Sequence, residues 1–373
     1  MNLLNNLWSW WSGQAWPIAV DVGAMSVRTL QLGGTGASWR VAAAGRYDLP
    51  DSARTTDNQP FPHLHEALTR LLDAGAYQGD AAVVVLPHAL TRCEMVTLDI
   101  PAEATTEQAL QAAAHTAFSP ERDHIQYSPM GGEVEQFGVD RTIDAMLLAV
   151  DREVVQELVS ILHELDLEPA AIEPAPLALA RCTARFARRE RDQRLLQVVL
   201  DAGHAGTRVM LMQGRAIVDY ACIDRGAGAI DGEAAATLDV DTRTVRTARL
   251  AHWHQPKNGD DDDLPRRAFA AADVPLRELA TQVDQVLRTF VQRHGCELPG
   301  RLRITGGSAY DRQLVDHLAQ QIGVEVSPAE PLHAVDVSNP TLMIERRGTQ
   351  PEWATVMGAA LRSMAAENVR DAA

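Results

Sequence analysis

"VVLDAGHAGTRVMLMQGR", residues 198–215, is the stretch that decides how this chain is built. An aliphatic run ends on Asp201, turns through Gly203, resumes after Arg208 and turns again at Gly214. The same grammar stands in "AVDVGAMSVRTLQLGG", residues 19–34, with Asp21, Gly23, Arg28 and Gly34. All four residue types recur at a constant offset of 180 positions. A single Asp-x-Gly turn arises easily by chance. Two at matching places in the two halves mark a duplicated unit, and predict that both copies serve one ligand.

A hairpin of this kind has a definite chemistry. Its glycine lets the backbone take positive φ and brings N–H groups close to a ligand. Successive turn N–H groups form a concavity suited to phosphate oxygens. A carboxylate at the same place repels phosphate unless a cation stands between them, a role that suits Mg²⁺ with its tightly held waters. Asp21 and Asp201 are therefore the expected metal-directed carboxylates, and two facing hairpins would clamp a polyphosphate from both sides. "ITGGSAYDRQL", residues 304–314, supplies a third glycine element. Its strand ends at Thr305, Gly306 and Gly307 allow a base or ribose to lie close, and Ser308 or Asp311 can cap the next helix. The same residues also suit a plain strand-to-helix turn.

Composition narrows the ligand. The 373 residues suffice for two domains, each with its own core. Lys and Arg number 34 against 50 Asp and Glu, a net charge of −16 that excludes nucleic-acid binding over a broad face. The basic cluster "RCTARFARRERDQR" (181–194) reads as a solvated helix face before a strand. Cys93, Cys182, Cys222 and Cys296 form no CxxC pair, and His294 beside Cys296 lacks a second ligand pair, so reduced thiols are expected. The run "AAVVVL" (81–86) is far too short to span a bilayer. The first residues lack a basic n-region and a long apolar core, so no secretory signal is expected. They do carry Trp8, Trp10, Trp11 and Trp16, which suit either a membrane or partner contact or a tail folded back on the body. The acidic run "NGDDDDLP" (258–265) lacks EF-hand spacing and reads as a solvated loop.

Periodicity orders the rest. Each half opens with three strands and then alternates helices with strands, which gives an α/β chain. "FPHLHEALTRLLDAG" is a helix and "DAAVVVLP" a buried strand. Residues 102–150 and the helix that follows predict an inserted unit of helix, strand, strand and helix. A long helix is expected at "VPLRELATQVDQVLRTFVQRHG", and "PEWATVMGAALRSMAAE" closes the chain as a small-residue helix. The expected division is a Trp-rich tail over 1–16; a first lobe of 17–86, 166–193 and 351–373; an insert over 87–165; and a second lobe over 194–350 with a helical subdomain at about 226–299.

The stretches "AVDVGAMSVRTLQL", "FSPERDHIQYSP", "LLAVDREVVQELVSILHELDLEPAAIEPAPLALAR", "VVLDAGHAGTRVMLMQGR", "RITGGSA" and "ATVMGAALRS" carry a resemblance. Taken in order, from Pro17 to about Ala365, the chain resembles the PilM family of the actin-like ATPase superfamily, relatives of FtsA. The segment "DLEPAAIEPAPLALAR" separates that family from sugar kinases and chaperone ATPases better than the glycine turns do.

The resemblance implies a duplicated actin-like (ribonuclease H-like) α/β fold. Two lobes would flank a nucleotide cleft, with a small α/β insert in the first. It implies ATP and Mg²⁺, held by Asp21, Gly23, Ser26 and Arg28 of the first hairpin and Asp201, Gly203 and Thr207 of the second. Asp21 and Asp201 would face the metal, and Gly306 and Gly307 the adenosine. No catalytic residue is implied, and turnover would be slow at most. The implied role is a cytoplasmic scaffold, peripheral at the inner membrane, for a type IV pilus complex. Its partner would be the cytoplasmic N-terminal peptide of a bitopic PilN-like protein, and the insert is the expected surface for self-association. Three departures stand out. "GAMSVR" replaces a Gly-Ser-Ser-Ser turn followed by lysine, His204 stands where small residues are common, and "DTRTVRTARL" lacks the expected ribose-facing Glu. Two other readings share the fold. One is a sugar or small-acid kinase, for which Asp219 and Asp224 are the available bases. The other is a GspL-like scaffold of type II secretion.

Overall fold

The computed structural model describes residues 16–34, 39–50, 61, 63–130, 140–252, 264–339, 344 and 348–362. Trp8, Trp10 and Trp11, most of the acidic run and the end of the closing helix lie outside the described residues.

The duplication expected from the two hairpins is realised strand for strand. The first sheet is built from β1 (Ile18–Val22), β2 (Ser26–Gly33), β3 (Arg40–Asp48), β4 (Ala81–Leu86) and β8 (Glu168–Pro174), in the order β3-β2-β1-β4-β8. The second uses β9 (Leu196–Ala202), β10 (Thr207–Gln213), β11 (Ala216–Ile223), β12 (Arg301–Thr305) and β13 (Glu325–Pro328), in the order β11-β10-β9-β12-β13. In both, three antiparallel strands are followed by two parallel ones. The central strand β4 (AAVVVL) reads as an unbroken aliphatic run because both of its faces are covered.

Helix periodicity supplies the cover. In the first unit α1 (Leu64–Ala74) sets Leu64, Leu68 and Leu71 against Val20, Val22, Val84 and Leu86. In the second, α7 (Leu264–His294) lays Leu276, Leu279, Val283, Leu287 and Phe290 along Val198, Leu200, Val209, Leu302 and Ile304. That helix was expected to begin near Val274. It begins ten residues earlier and runs through buried Pro275, because Ala268 and Ala272 extend the same apolar stripe.

The chain divides into two compact units, Met1–Arg188 with Glu330–Ala373, and Arg189–Ala329. The return to the first unit was placed at 351. It falls earlier because residues 333–336 are tied there: Val41 N donates to Asp336 O at 2.8 Å, Asp336 N to Trp39 O at 2.9 Å and Arg185 Nη2 to His333 O at 2.5 Å. The entry to the second unit falls at Arg189 rather than 194, with Gln193 packed against Gly214, where a Cβ would lie 2.6 Å from the Gln193 carbonyl oxygen.

The insert also differs from expectation. It consists of β5 (Arg92–Ile100), α2 (Thr106–Ala117), β6 (Asp123–Pro129) and β7 (Arg141–Asp151), with the antiparallel order β5-β7-β6. Strand β5 was not expected, though Val96, Leu98 and Ile100 at every second position pack onto Leu110, Ile143 and Ala145. The helix after β7, α3 (Arg152–Glu164), does not belong to the insert. Its Leu158 and Leu162 sit in the core of the first sheet.

The family-distinguishing segment has a structural role of its own. It forms β8 and α4 (Ala175–Ala184), and α4 packs backbone to backbone on the last described helix, α9 (Ala354–Ala360). A Cβ on Gly358 would lie 1.7 Å from the Ala178 carbonyl oxygen. Buried Glu173 receives Arg181 and, at 2.5 Å, Arg362 Nη1, while Arg181 Nε donates to Gly358 O at 3.0 Å.

Two stability experiments follow from this packing. Gly358→Ala is expected to lower unfolding free energy by about 3 kcal/mol or more, because the clash is with rigid backbone. Gly232, inside a helix (residues 227–238) with open space around its Cα, provides the contrast. Gly232→Ala is expected to stabilise by about 0.5–1 kcal/mol in the same denaturant titration. The insert adds a pH dependence. Burial pushes the Asp123 carboxyl up, but hydrogen bonds led by Arg92 (2.5 Å) and Arg122 (3.2 Å) outweigh it and bring it down to about 2. A carboxyl lowered on folding stabilises above its unfolded value and loses that contribution as pH falls through about 2. Acid titration of near-ultraviolet dichroism should therefore show a loss below pH 4 that Asp123→Asn flattens; identical profiles would refute the assignment.

Candidate functional site

In the first hairpin, Gly23 N donates to Ser26 O at 3.1 Å and closes the turn between β1 and β2. In the second, Gly203 N donates to Gly206 O at 3.0 Å between β9 and β10. The pairing register then sets Asp21 directly opposite Arg28, and Asp201 directly opposite Arg208. Both pairs make the same contact. Arg28 Nη1 lies 3.5 Å from Asp21 Oδ2, and Arg208 Nη2 lies 2.8 Å from Asp201 Oδ2. An offset of 180 in sequence has become a repeated ion pair in space.

The glycines work differently from expectation. Neither Gly23 nor Gly203 takes positive φ. What disfavours a side chain is closeness, since a Cβ at either would sit 3.0 Å from the carbonyl oxygen that closes its turn. Gly306 is the residue whose conformation demands glycine, at φ 83° and ψ 173°. Its missing Cβ also makes room for Ala202 O and Asp201 Oδ1, which a methyl would approach to 2.5 and 2.7 Å. Gly307 is exposed with open space beside it, so nothing there requires glycine.

Around the second hairpin the elements interlock. Thr305 Oγ1 lies 3.2 Å from Asp201 Oδ1, the oxygen not held by Arg208. Thr207, expected to face phosphate, is buried and donates to Arg225 O at 2.8 Å. Ser308 Oγ donates to Gly203 O at 3.4 Å. Helix α5 (Ala227–Leu238) starts on the turn itself: Ala227 N reaches Gly203 O at 3.0 Å and Gly228 N reaches His204 O at 2.9 Å. A Cβ on Gly226 would stand 2.5 Å from His204 O, and one on Gly228 2.6 Å from the imidazole. The glycines of "RGAGAI", residues 225–230, let α5 seat against the loop. In the first hairpin Ser26 is likewise buried.

Behind the glycine shelf lies a buried ion network. Arg249 on α6 (Thr242–Ala251) donates to Asp231 of α5 at 2.8 Å and to Asp311. Asp311 in turn caps α8 (Arg312–Ile322), accepting from Gln313 N at 3.1 Å and Leu314 N at 3.3 Å. Burial, the larger effect, pushes the Asp231 carboxyl up against the pull of Arg249. Helix α6 is the stretch whose departure is a missing ribose-facing Glu. Its Arg249 is spent on bracing the shelf.

Magnesium can be tested against this donor set. Direct Mg²⁺ coordination asks for a bare carboxylate oxygen at about 2.0–2.1 Å. Asp201 has one oxygen on a guanidinium and the other within reach of a hydroxyl, and Asp21 carries a guanidinium too. The expected metal-facing role of Asp21 and Asp201 does not fit, because each carboxylate already has its cation. The described residues contain no cluster of three or more His, Cys, Asp or Glu able to hold a metal ion. Of the two acids weighed as kinase bases, Asp219 is buried and held by Arg293 Nη1 at 2.8 Å and His294 Nε2 at 2.9 Å. That pairing keeps its lone pairs from a substrate proton. Asp224 is exposed and lines a shallow cavity of about 500 Å³ with Arg225, Gln282 and Thr289.

No protein-family model matches the sequence, and no curated protein matches it. Solved structures do match in fold. A chain of the "PilM-PilN type IV pilus biogenesis complex" superposes with a TM-score of 0.75 over 93% of this chain and 98% of that one, at 19% identity. The ethanolamine utilization protein EutJ from Carboxydothermus hydrogenoformans (TM-score 0.49, 14% identity, 93% of this chain and 89% of that one) is more distant. So is MreB 5 of Spiroplasma citri bound to AMPPNP (0.48, 10%, 95% and 98%). The fold is thus PilM-like and actin-like, a duplicated α/β unit with a small α/β insert in its first half. Among the described residues no helix is long and apolar enough to cross a membrane.

The shelf yields a paired test. Gly306→Ala is expected to destabilise by about 1–3 kcal/mol, since its φ and ψ fall in a region open essentially to glycine alone. Gly307→Ala, one residue on, is expected to stay within about 0.5 kcal/mol of wild type in the same thermal melt.

Proposed function

We propose that this protein is a nucleotide-binding, actin-like scaffold of a type IV pilus or related inner-membrane assembly complex. It holds the short cytoplasmic N-terminal segment of a PilN-like membrane protein. The observation that carries the proposal is the near end-to-end fold match with a chain of a PilM–PilN complex. The repeated hairpin supports the nucleotide part: two turns of the same kind, each with an ion pair at its neck, and a glycine shelf packed on the second.

In this reading the turns at 23–26 and 203–206 offer backbone N–H groups to phosphate oxygens, as turn concavities do. The half-buried guanidiniums of Arg28 and Arg208 supply positive charge beside them. Gly306 and Gly307 give a flat approach for the adenosine. Thr207, Ser308 and the start of α5 keep the second loop in one shape, so little ordering is left for the ligand to impose. Bound nucleotide thereby serves as a conformational brace, and the protein sits in the cytoplasm, peripheral at the inner membrane, through its partner.

A pull-down with a synthetic N-terminal segment of a PilN-like protein tests this. Retention of the full chain is expected, stronger with ATP than without. Failure to retain it under either condition would remove the scaffold reading.

A further inference from the structure

We propose that the cavity between α7 and α8 is a binding site for an organic cation, an alkylammonium or alkylguanidinium head that donates N–H bonds to it. The cavity holds about 540 Å³ and lies wholly in the second unit. It shares no residue with either hairpin or with the glycine shelf, so the inference goes beyond the nucleotide reading.

The spacing of polar residues carries the first part of the argument. Leu314 and Leu318 of α8 turn into the core of the second unit, while Gln313, Asp316, His317 and Gln320 line the cavity at i, i+3, i+4 and i+7. On α7, Ala268, Ala272 and Leu276 are buried in that core, and the residue after each of them, Phe269, Asp273 and Arg277, lines the cavity. Two carboxylates, Asp273 and Asp316, thus stand against the one guanidinium of Arg277, and the lining is net negative while His317 is neutral. Asp273 is met by Arg277 and, at 3.0 Å, by His317 Nε2, which leaves exposed Asp316 to draw a cation.

Gln313 carries the second part. It is 3% exposed, its Nε2 donates to Phe269 O at 3.0 Å, and its Oε1 is buried with no hydrogen-bond partner. Turning the amide over would set an oxygen against the Phe269 carbonyl, so the bond to Phe269 fixes which atom is left over. The backbone is fixed too, since Gln313 N donates to Asp311 Oδ1 at 3.1 Å. A buried amide oxygen without a donor is unfavourable, and a donor that reaches it gains more than one meeting a hydrated oxygen. An anion would be repelled by that oxygen and by Asp316. A ligand with both positive charge and N–H groups satisfies the two at once, and Phe269 adds an aromatic side chain to the lining, which suits a cation.

The experiment is equilibrium binding of n-butylammonium and of its isomer tetramethylammonium to the full chain, followed by saturation-transfer NMR. The two have the same charge and the same atoms, but only the first has N–H donors. Butylammonium is expected to bind saturably and about tenfold more tightly than its isomer. Gln313→Met is expected to remove most of that difference, and Asp316→Asn, at an exposed position, to weaken both cations about threefold. Nα-acetyl-lysine amide is the third arm: binding tighter than that of butylammonium assigns the head to a lysine of a protein, and weaker binding assigns it to a free amine. The wild-type comparison needs no variant to fold. Equal binding of the two isomers, or no saturable binding of any of the three cations, would overturn the inference, as would a Gln313→Met protein that keeps the wild-type preference.

Discussion

The carboxylate of Asp201 is the point on which the second unit's site depends. It ends a central strand, holds Arg208 across the hairpin, lies within hydrogen-bond reach of Thr305 from the neighbouring parallel strand, and touches the space that Gly306 leaves open. Three consecutive elements of the sheet therefore meet at one buried side chain. Neutralising that charge from within the hairpin lets it be buried at all, since an isolated carboxylate there would be strongly unfavourable. Every other placement at the shelf follows from these contacts.

The same economy of charge runs through the molecule. Buried acids are met by arginines supplied from a different element: Glu173 by Arg181 and Arg362, Asp219 by Arg293, and Asp231 by Arg249. Replacing either partner alone would leave an uncompensated charge, so these pairs tie each helix to the element it packs on. Arg249 shows the consequence for function. It locks α5 and α6 against the cap of α8. The glycine shelf is thereby braced from behind by buried ion pairs.

Much of this was legible in the sequence. The offset between the two Asp-x-Gly turns announced the duplication, and turn length alone set each acid opposite its arginine. Alternating and unbroken aliphatic runs gave the strands, and the spacing of Leu64, Leu68 and Leu71 gave a helix with one buried face. Strand β5 was there to be read in Val96, Leu98 and Ile100, but Arg92 and Glu94 on the same alternate positions and half-buried Met95 between them blurred the pattern. These signals are local. Side-chain direction repeats every two or every three to four residues, and turn chemistry acts within a few positions.

What only the tertiary structure decided is how each polar group is spent. Thr207 and Ser26 have the residue types for phosphate binding, yet both are buried, and Thr207 is committed to a carbonyl 18 residues away. Thr305 reaches Asp201 across 104 residues, and Gly226 and Gly228 matter because a helix lands on a loop that precedes them. Helix α3 joins the first sheet's core although the strand before it belongs to the insert. No spacing rule records such choices, because a buried hydroxyl or carboxylate takes whichever partner packing brings within about 3 Å. The chain therefore wrote its elements and its repeated ion pair into the sequence. Folding settled which donors were left to meet a ligand.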